Sequence, residues 1–301
     1  MANLIEKAKI YQKELDRQLV ADAATGWMEA NAGQVIYHGG AEVKIPKISM
    51  DGLGDYSRTG GYPEGSVSLE YQTMTMTQDR GTSFNLDAMD CDESNIDDLA
   101  GAVMGEFQRT HVVPEIDSYR MSRIYTLAAG ANRLHSAFTP AKGNVLDALK
   151  EDIAGVQDAI GEGVPLLVHM SFPVAALFDT SEALSRSLNA MEFESGEVKL
   201  KVKGIDGIPI LRTPSARMKT GYTFNSGVSE FGFKAADSAK AINWIIIPRN
   251  APIAVSRTDT VRIFDPTTYQ KANAWHIDYR KYHDLWIPEN RLKGICVNVG
   301  A

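Results

Sequence analysis

The sequence predicts an α+β fold in which a long β-hairpin and a long helix precede a mixed domain. Three observations predict it. Period-two alternation runs from Val67 to Thr77, opposite a second strand-like segment that ends in a glycine-rich tip. A helical stripe then extends from Ile96 to Gly130, interrupted only by Pro114. Beyond it, helical and strand-like segments alternate up to a C-terminal strand.

Composition sets the limits. A chain of 301 residues buries a sizeable core, and 44% hydrophobic with 23% charged residues is ordinary for globular proteins, which excludes wholesale disorder. The net charge of −7 and pI near 5.4 give the whole chain no electrostatic reason to grip phosphate backbones. Lys199, Lys201 and Lys203 alternate with Val198, Leu200 and Val202, which reads as the wet face of a strand rather than a basic patch. No run of about 18 apolar residues is present, so no membrane contact is expected. Met1 to Leu19 is charged and periodic, without the apolar core of a signal peptide. Cys91 and Cys296 are far apart with no CxxC pair, which suits a reducing cytosol as the place of synthesis and assembly.

Residues 4–20 read as an amphipathic helix, with Leu4, Tyr11, Leu15 and Leu19 at helical spacing. Ala21 to Gly33 is small and polar around Trp27 and Met28, which fits either a docking arm or a helix end packed on its own core. Val35, Tyr37, Val43, Ile45 and Ile48 begin the hairpin. Its tip holds Gly52, Gly54, Gly60, Gly61 and Gly65 around Tyr56, Tyr62 and Pro63. Such a ribbon has little to bury within itself and makes physical sense when neighbouring subunits cover it. A turn is expected at Asp79-Arg80-Gly81, followed by a short strand around Phe84 and Leu86.

The acidic cluster Asp87, Asp90, Asp92 and Glu93 precedes Ser94, a good N-cap, and Asp97 and Asp98 suit the positive end of the helix dipole. The long helix carries Ile96, Leu99, Val103 and Phe107 on one face. Pro114 should kink or restart it before Ile116, Tyr119, Ile124 and Leu127 continue the stripe. A helix over 144–160, a buried strand over 165–170 and a short helix over 174–178 follow. Strands are expected at 198–202 and 208–211, an exposed loop over 213–240, and strands at 242–247, 253–255, 275–279 and 295–299.

The usual chemical constellations are missing. There is no phosphate-binding GxxxxGK[ST], no GxSxG elbow, no HExxH and no kinase signature, and Gly52-Leu-Gly54 is only a fragment of a dinucleotide fingerprint. The closest histidine pair, His276 and His283, is seven residues apart and so on opposite faces of a strand. The acidic cluster lacks the alternating oxygens and central glycine of an EF-hand loop; it reads instead as compensating a helix N-terminus and pairing with an arginine, Arg80 being nearest. No catalytic residue, metal site or cofactor is therefore expected.

Four phrases carry a family resemblance. Asp79 to Glu93 (DRGTSFNLDAMDCDE) resembles the join between extended loop and spine helix in phage major capsid proteins of the Hong Kong 97-like fold. Phe107 to Asp117 (FQRTHVVPEID) is similar to their spine helix, and Lys203 to Arg212 with Trp244 to Arg249 to strands of their axial domain. The resemblance implies an N-terminal arm (1–33), an extended loop (34–93), a peripheral domain (94–140 and 257–301) and an axial domain (141–256). It also implies self-assembly through hexamers and pentamers into an icosahedral virion shell that encloses double-stranded DNA without sequence-specific binding. Scaffolding, portal and decoration proteins are the partners such shells take. The N-terminal region is too short for the scaffolding segment some members carry, so a separate scaffold, or none, is expected. Subunit contacts are expected at Trp27 on the arm, Arg58 and Tyr62 at the tip, and Arg80 with Asp90, Asp92 and Glu93. An encapsulin-like compartment shell shares these features; an enzyme with a site assembled from scattered residues is the alternative of another class.

Overall fold

The structure, a computed structural model, describes residues 23–34, 36–37, 42–89, 96–181, 189–195 and 198–301. The helix expected over 4–20 lies outside the described residues, as do Ser94 and the acidic Asp90, Asp92 and Glu93.

A 3-10 helix at Gly26–Gln34 opens the described chain and packs Trp27 and Met28 into its own core. Strands β1 (Ile36–Tyr37), β2 (Glu42–Met50) and β3 (Val67–Thr75) then form the expected ribbon, paired from Glu42↔Thr75 out to Met50↔Val67. At ~3.3 Å per residue this ladder projects about 30 Å. Among the described side chains only those at its base are buried: Val43, Ile45 and Met76 pack with Ile253, Val255 and Trp286. Further out, Val67, Leu69 and Tyr71 are all at least half exposed.

Strand β4 (Gln78–Asp87) corrects the turn expected at Asp79-Arg80-Gly81. It is one continuous strand, paired with residues 274–283 along its length. Residue type misled here because Gly81 serves close approach, not a turn. A Cβ at Gly81 would lie 2.8 Å from the Tyr279 carbonyl oxygen. Gly81→Ala should cost about 1–3 kcal/mol, read as a lower urea midpoint at unchanged slope.

The long helix comprises α1 (Ile96–Phe107), a π-helical turn (Gln108–Val112) and α2 (Val113–Gly130). At ~1.5 Å per residue the run is about 50 Å long. Pro114, in the first turn of α2, has no N–H and its ring clashes with an α-helical carbonyl four residues back. The chain widens just before it, with the Val113 N–H bonding the Gln108 carbonyl, and continues without a break. Gln108 is buried there with neither amide atom partnered among the described residues.

The remaining elements are β5 (Leu134–His135), α3 (Val145–Ile160), β6 (Leu166–Ser171), α4 (Phe172–Asp179), β7 (Asn189–Ser195), β8 (Val198–Ile205) and β9 (Ile208–Thr213). A small hairpin, β10 (Tyr222–Phe224) with β11 (Phe233–Ala235), occupies the segment expected to be an open loop. Then come β12 (Ile242–Pro248), β13 (Ile253–Phe264), β14 (Ala274–Trp286) and β15 (Cys296–Val299).

Seven strands form one sheet in the order β5-β15-β12-β6-β9-β8-β7. Both faces are covered, so its central strands β6 and β12 are buried along their whole length rather than alternating. Trp244 and Ile246 of β12 face α3 and α4, while Ile245 and Ile247 face α2 and the 3-10 helix. A second sheet, β13-β14-β4, lies against α1 and α2 through Val261, Ile277 and Tyr279. The domain boundary expected at 256/257 falls inside β13, which stays paired with β14 past a register shift at Ser256/Thr258. The final strand joins the seven-stranded sheet beside β12 and packs Val297 and Val299 in one core with Met121, Ile124 and Ala128 of the long helix. No helix among the described residues is long and apolar enough to cross a membrane.

Candidate subunit interface

Six residues of α2, from Glu115 to Arg120, tie together segments remote in sequence. Arg80 on β4 donates from Nε to Glu115 Oε1 (2.7 Å) and from its terminal nitrogens to the carbonyls of Asn225 (2.6 Å) and Gly232 (3.2 Å). The residues Asp90, Asp92 and Glu93 of the expected pairing lie outside the described residues, and Arg80's partners among the described ones are these. In a continuous strand Asp87, seven residues from Arg80, is on the opposite face, whereas Glu115 stands directly across on the helix. Asp117, fully buried, accepts four hydrogen bonds: from the Ala24 N–H (3.1 Å), the Thr25 N–H (3.0 Å), Thr25 Oγ1 (2.6 Å) and Arg217 (3.0 Å). Arg120, also fully buried, donates to the Thr25 carbonyl (3.1 Å) and to Glu29 Oε1 (2.5 Å). Burial alone would raise the Glu29 carboxyl, but Arg120 and Lys281 outweigh it and hold it below the ordinary value.

Tyr119 fixes the hairpin root. Its hydroxyl donates to Asp284 Oδ1 (2.5 Å), and Asp284 Oδ2 accepts from the Thr77 N–H and hydroxyl (2.9 Å each). Burial, then the hydrogen bond to Asp284, pushes the Tyr119 phenol up. Thr77 lies between β3 and β4, so the projecting ribbon leaves the body from an anchored point.

Trp27 belongs to this interior. It is 3% exposed, and its indole N–H donates to His169 Nε2 (3.2 Å). That corrects the subunit contact expected there, because its own chain already covers it. An indole only donates, so the His169 proton sits on Nδ1, which faces Thr213 Oγ1 (3.4 Å). Burial lowers the His169 pKa to about 3 from 6.5. The unfolded imidazole takes up a proton at a higher pH than the folded one. This contribution to stability is therefore complete above about pH 6.5 and declines as pH falls, by up to about 1.4 kcal/mol per unit. His169→Gln should flatten the slope of the urea midpoint between about pH 6.5 and 4.5.

Asp152 has a histidine on one side and a cysteine on the other. His135 Nδ1 lies 2.8 Å from Asp152 Oδ1, while Asp152 Oδ2 accepts from Trp244 Nε1 (2.8 Å) and Asn298 (3.3 Å). Burial, with the Asp152 carboxylate beside it, pushes the Cys296 thiol up to about 12. The thiol is held protonated, the opposite of an activated nucleophile. No group of three or more metal-ligating side chains occurs among the described residues.

The exposed surface differs in character. Of the expected contact residues, Arg58 and Tyr62 are exposed on the tip, where Tyr62 packs against Tyr56 at 5.0 Å between ring centroids. Leu53, Tyr56 and Tyr62 at the tip and Met50, Val67, Leu69 and Tyr71 along the ladder leave a long apolar surface uncovered. Sequence reasoning missed the buried hub. Arg120 carried a signal, being four residues from both Ile116 and Ile124 and so on the apolar stripe; Asp284 carried none, since the end of β14 is buried on both faces.

A projecting hairpin, a long helix beneath its root and a sheet covered by helices on both faces form the fold of phage capsid subunits. The chain is similar to the subunit in the asymmetric unit of the bacteriophage PhiM1 mature capsid (TM-score 0.58, 12% identity, 87% of this chain and 82% of that one). It is similar to the capsid structure of cyanophage P-SCSP1u (TM-score 0.57, 11% identity, 88% and 85%). A virus-like particle from Pyrococcus furiosus also matches (TM-score 0.53, 10% identity, 99% and 100%). No protein-family model matches the sequence, and no curated protein matches it.

Proposed function

We propose that the chain is the major capsid protein of a tailed phage, assembling through hexamers and pentamers into the icosahedral shell around double-stranded DNA. The observation that carries this is the hairpin. About 30 Å of ribbon stands off the body with its apolar side chains uncovered, a surface that costs free energy until neighbouring copies bury it. Shell stability then comes from many repeated contacts of standard size rather than from one tight site. The acidity of the chain suits a container that packs DNA without gripping it. Its place is the virion after assembly in the host cytoplasm, with scaffolding, portal and decoration proteins as further partners. The tip residues Arg58 and Tyr62 are the proposed contacts with the next copy.

The second reading, an encapsulin-like compartment, is favoured by the near-complete mutual coverage with the P. furiosus particle. Negative-stain electron microscopy of the purified protein, with its mass in solution, tests both. Closed polyhedral particles or free pentamers and hexamers are expected. A chain that stays monomeric with scaffolding and portal genes co-expressed defeats both readings. Portal and terminase genes beside this one select the phage reading, and a cargo-enzyme gene the other.

A further inference from the structure

A cavity of about 370 Å³ lies between β4, the π-helical turn and the loop that joins β10 to β11. Protein interiors are close-packed, so a space of this size persists only where the structure holds it open. Arg80 holds this one. It reaches from β4 to the loop, where it binds the carbonyls of Asn225 (2.6 Å) and Gly232 (3.2 Å), and is fixed to Glu115 on α2 (2.7 Å). The loop also closes on itself, the Asn225 N–H bonding the Gly232 carbonyl (2.9 Å) and the Gly227 N–H the Glu230 carbonyl (3.0 Å). Gly227 and Gly232 turn it with φ of 80° and 75°, a conformation that favours glycine. A roof braced in this way loses little entropy when a ligand arrives.

The walls and the inner end differ in chemistry. Phe84, Phe107, Tyr279 and Phe231 line the cavity with aromatic rings, Phe107 meeting Phe84 edge-on at 5.1 Å and Tyr279 at 5.8 Å between centroids. Ser226 and His111 are exposed and mark the mouth. Lys281 and His283, on one face of β14, are 2% and 3% exposed and mark the inner end. His283 Nδ1 is buried there with no hydrogen-bond partner among the described residues. Burial first keeps that imidazole neutral, and the charges acting on it after that, Arg120, Lys281 and Arg80, are all cations. Their combined field favours negative charge at the inner end. The two carboxylates of the lining do not cancel it, since Asp79 is paired with Arg280 (2.8 Å) and Glu115 with Arg80.

We infer that this cavity binds a small aromatic acid, with its rings against the aromatic wall and its carboxylate at the inner end beside Lys281 and His283. The volume is at the small end of the ~300–1,000 Å³ range of ligand pockets, which suits one or two rings. A flat ring makes edge and face contacts with phenyl walls that an aliphatic chain does not. An inorganic anion would leave those walls uncovered, and an uncharged hydrocarbon would make no use of the cationic end. The site belongs to the single folded subunit, so it goes beyond the shell reading and stands or falls separately from it.

The test titrates benzoate and 2-naphthoate into the purified chain by calorimetry, beside 2-naphthamide, which keeps the rings and lacks the charge. One 2-naphthoate per chain with a Kd below about 1 mM is expected, and the amide should bind about tenfold more weakly or worse. Ser226→Trp fills the mouth from an exposed position. It should weaken 2-naphthoate about tenfold or more while leaving the melting temperature of the free chain unchanged. If that variant does not fold, His111→Trp, equally exposed, takes its place. No saturation by either acid below about 5 mM overturns the inference. Unchanged affinity in the filled variant also overturns it, because the probe would then sit elsewhere, as on the apolar hairpin. An amide that binds as tightly as the acid overturns it too, by removing the carboxylate from recognition.

Discussion

Asp117→Ala should lower the unfolding free energy of the subunit by about 3–5 kcal/mol, read by urea denaturation at unchanged slope. The carboxylate is fully buried in α2 and accepts from the Ala24 and Thr25 backbone, the Thr25 hydroxyl and Arg217. Alanine leaves these donors facing a void, one of them a guanidinium, and buried donors without partners cost more than the net worth of the bonds they made. Asp117→Asn should fall between the two, since its amide oxygen still accepts while its NH2 faces Arg217. The loss should appear first as release of residues 23–34, seen as faster amide exchange there. A change below about 1 kcal/mol would mean that the segment is held by Trp27 and Met28 alone.

Asp284→Ala should cost about 3 kcal/mol and, unlike the first variant, should harm assembly more than folding. Asp284 accepts from the Thr77 N–H and hydroxyl, from Tyr119 and from the Leu285 N–H. Three of these four donors fix where the ribbon leaves the body. A ribbon projecting about 30 Å turns a small freedom at its root into a large displacement at its tip. Tyr119→Phe, which removes one donor, should cost about 1–2 kcal/mol. Limited proteolysis within residues 51–66 and particle yield, measured on both variants beside urea stability, separate the two effects. Particle yield that tracks stability alone in this pair would show that the root does not aim the ribbon.

The elements whose side chains follow one period were legible in the sequence. Alternation along Val67 to Thr77 placed β3, and the stripe Ile116, Tyr119, Ile124 placed α2 with its end at Gly130. The turn expected at Asp79-Arg80-Gly81 failed because glycine has two uses, and the one at work depends on a partner strand two hundred residues away. Within the chain Arg80 pairs with Glu115, a partner hidden by the same error of phase. The small, polar neighbours of Trp27 fitted a docking arm as well as packing on the chain's own core; one indole with a buried histidine to receive its N–H is enough to pin such a segment to the core.

By itself the sequence determined the order of elements, the ribbon with its glycine-rich, aromatic tip, and the want of a recognisable catalytic motif. These follow from local periodicity and residue type, which act over a few residues. Only the tertiary structure decided that Glu115 to Arg120 form one polar hub, that β15 closes the sheet beside β12, and that a cavity lies beneath the β10–β11 loop. Those depend on which distant segments share a low-dielectric interior. There each charge needs a specific partner, and that pairing is set by where the whole chain folds rather than by spacing along it.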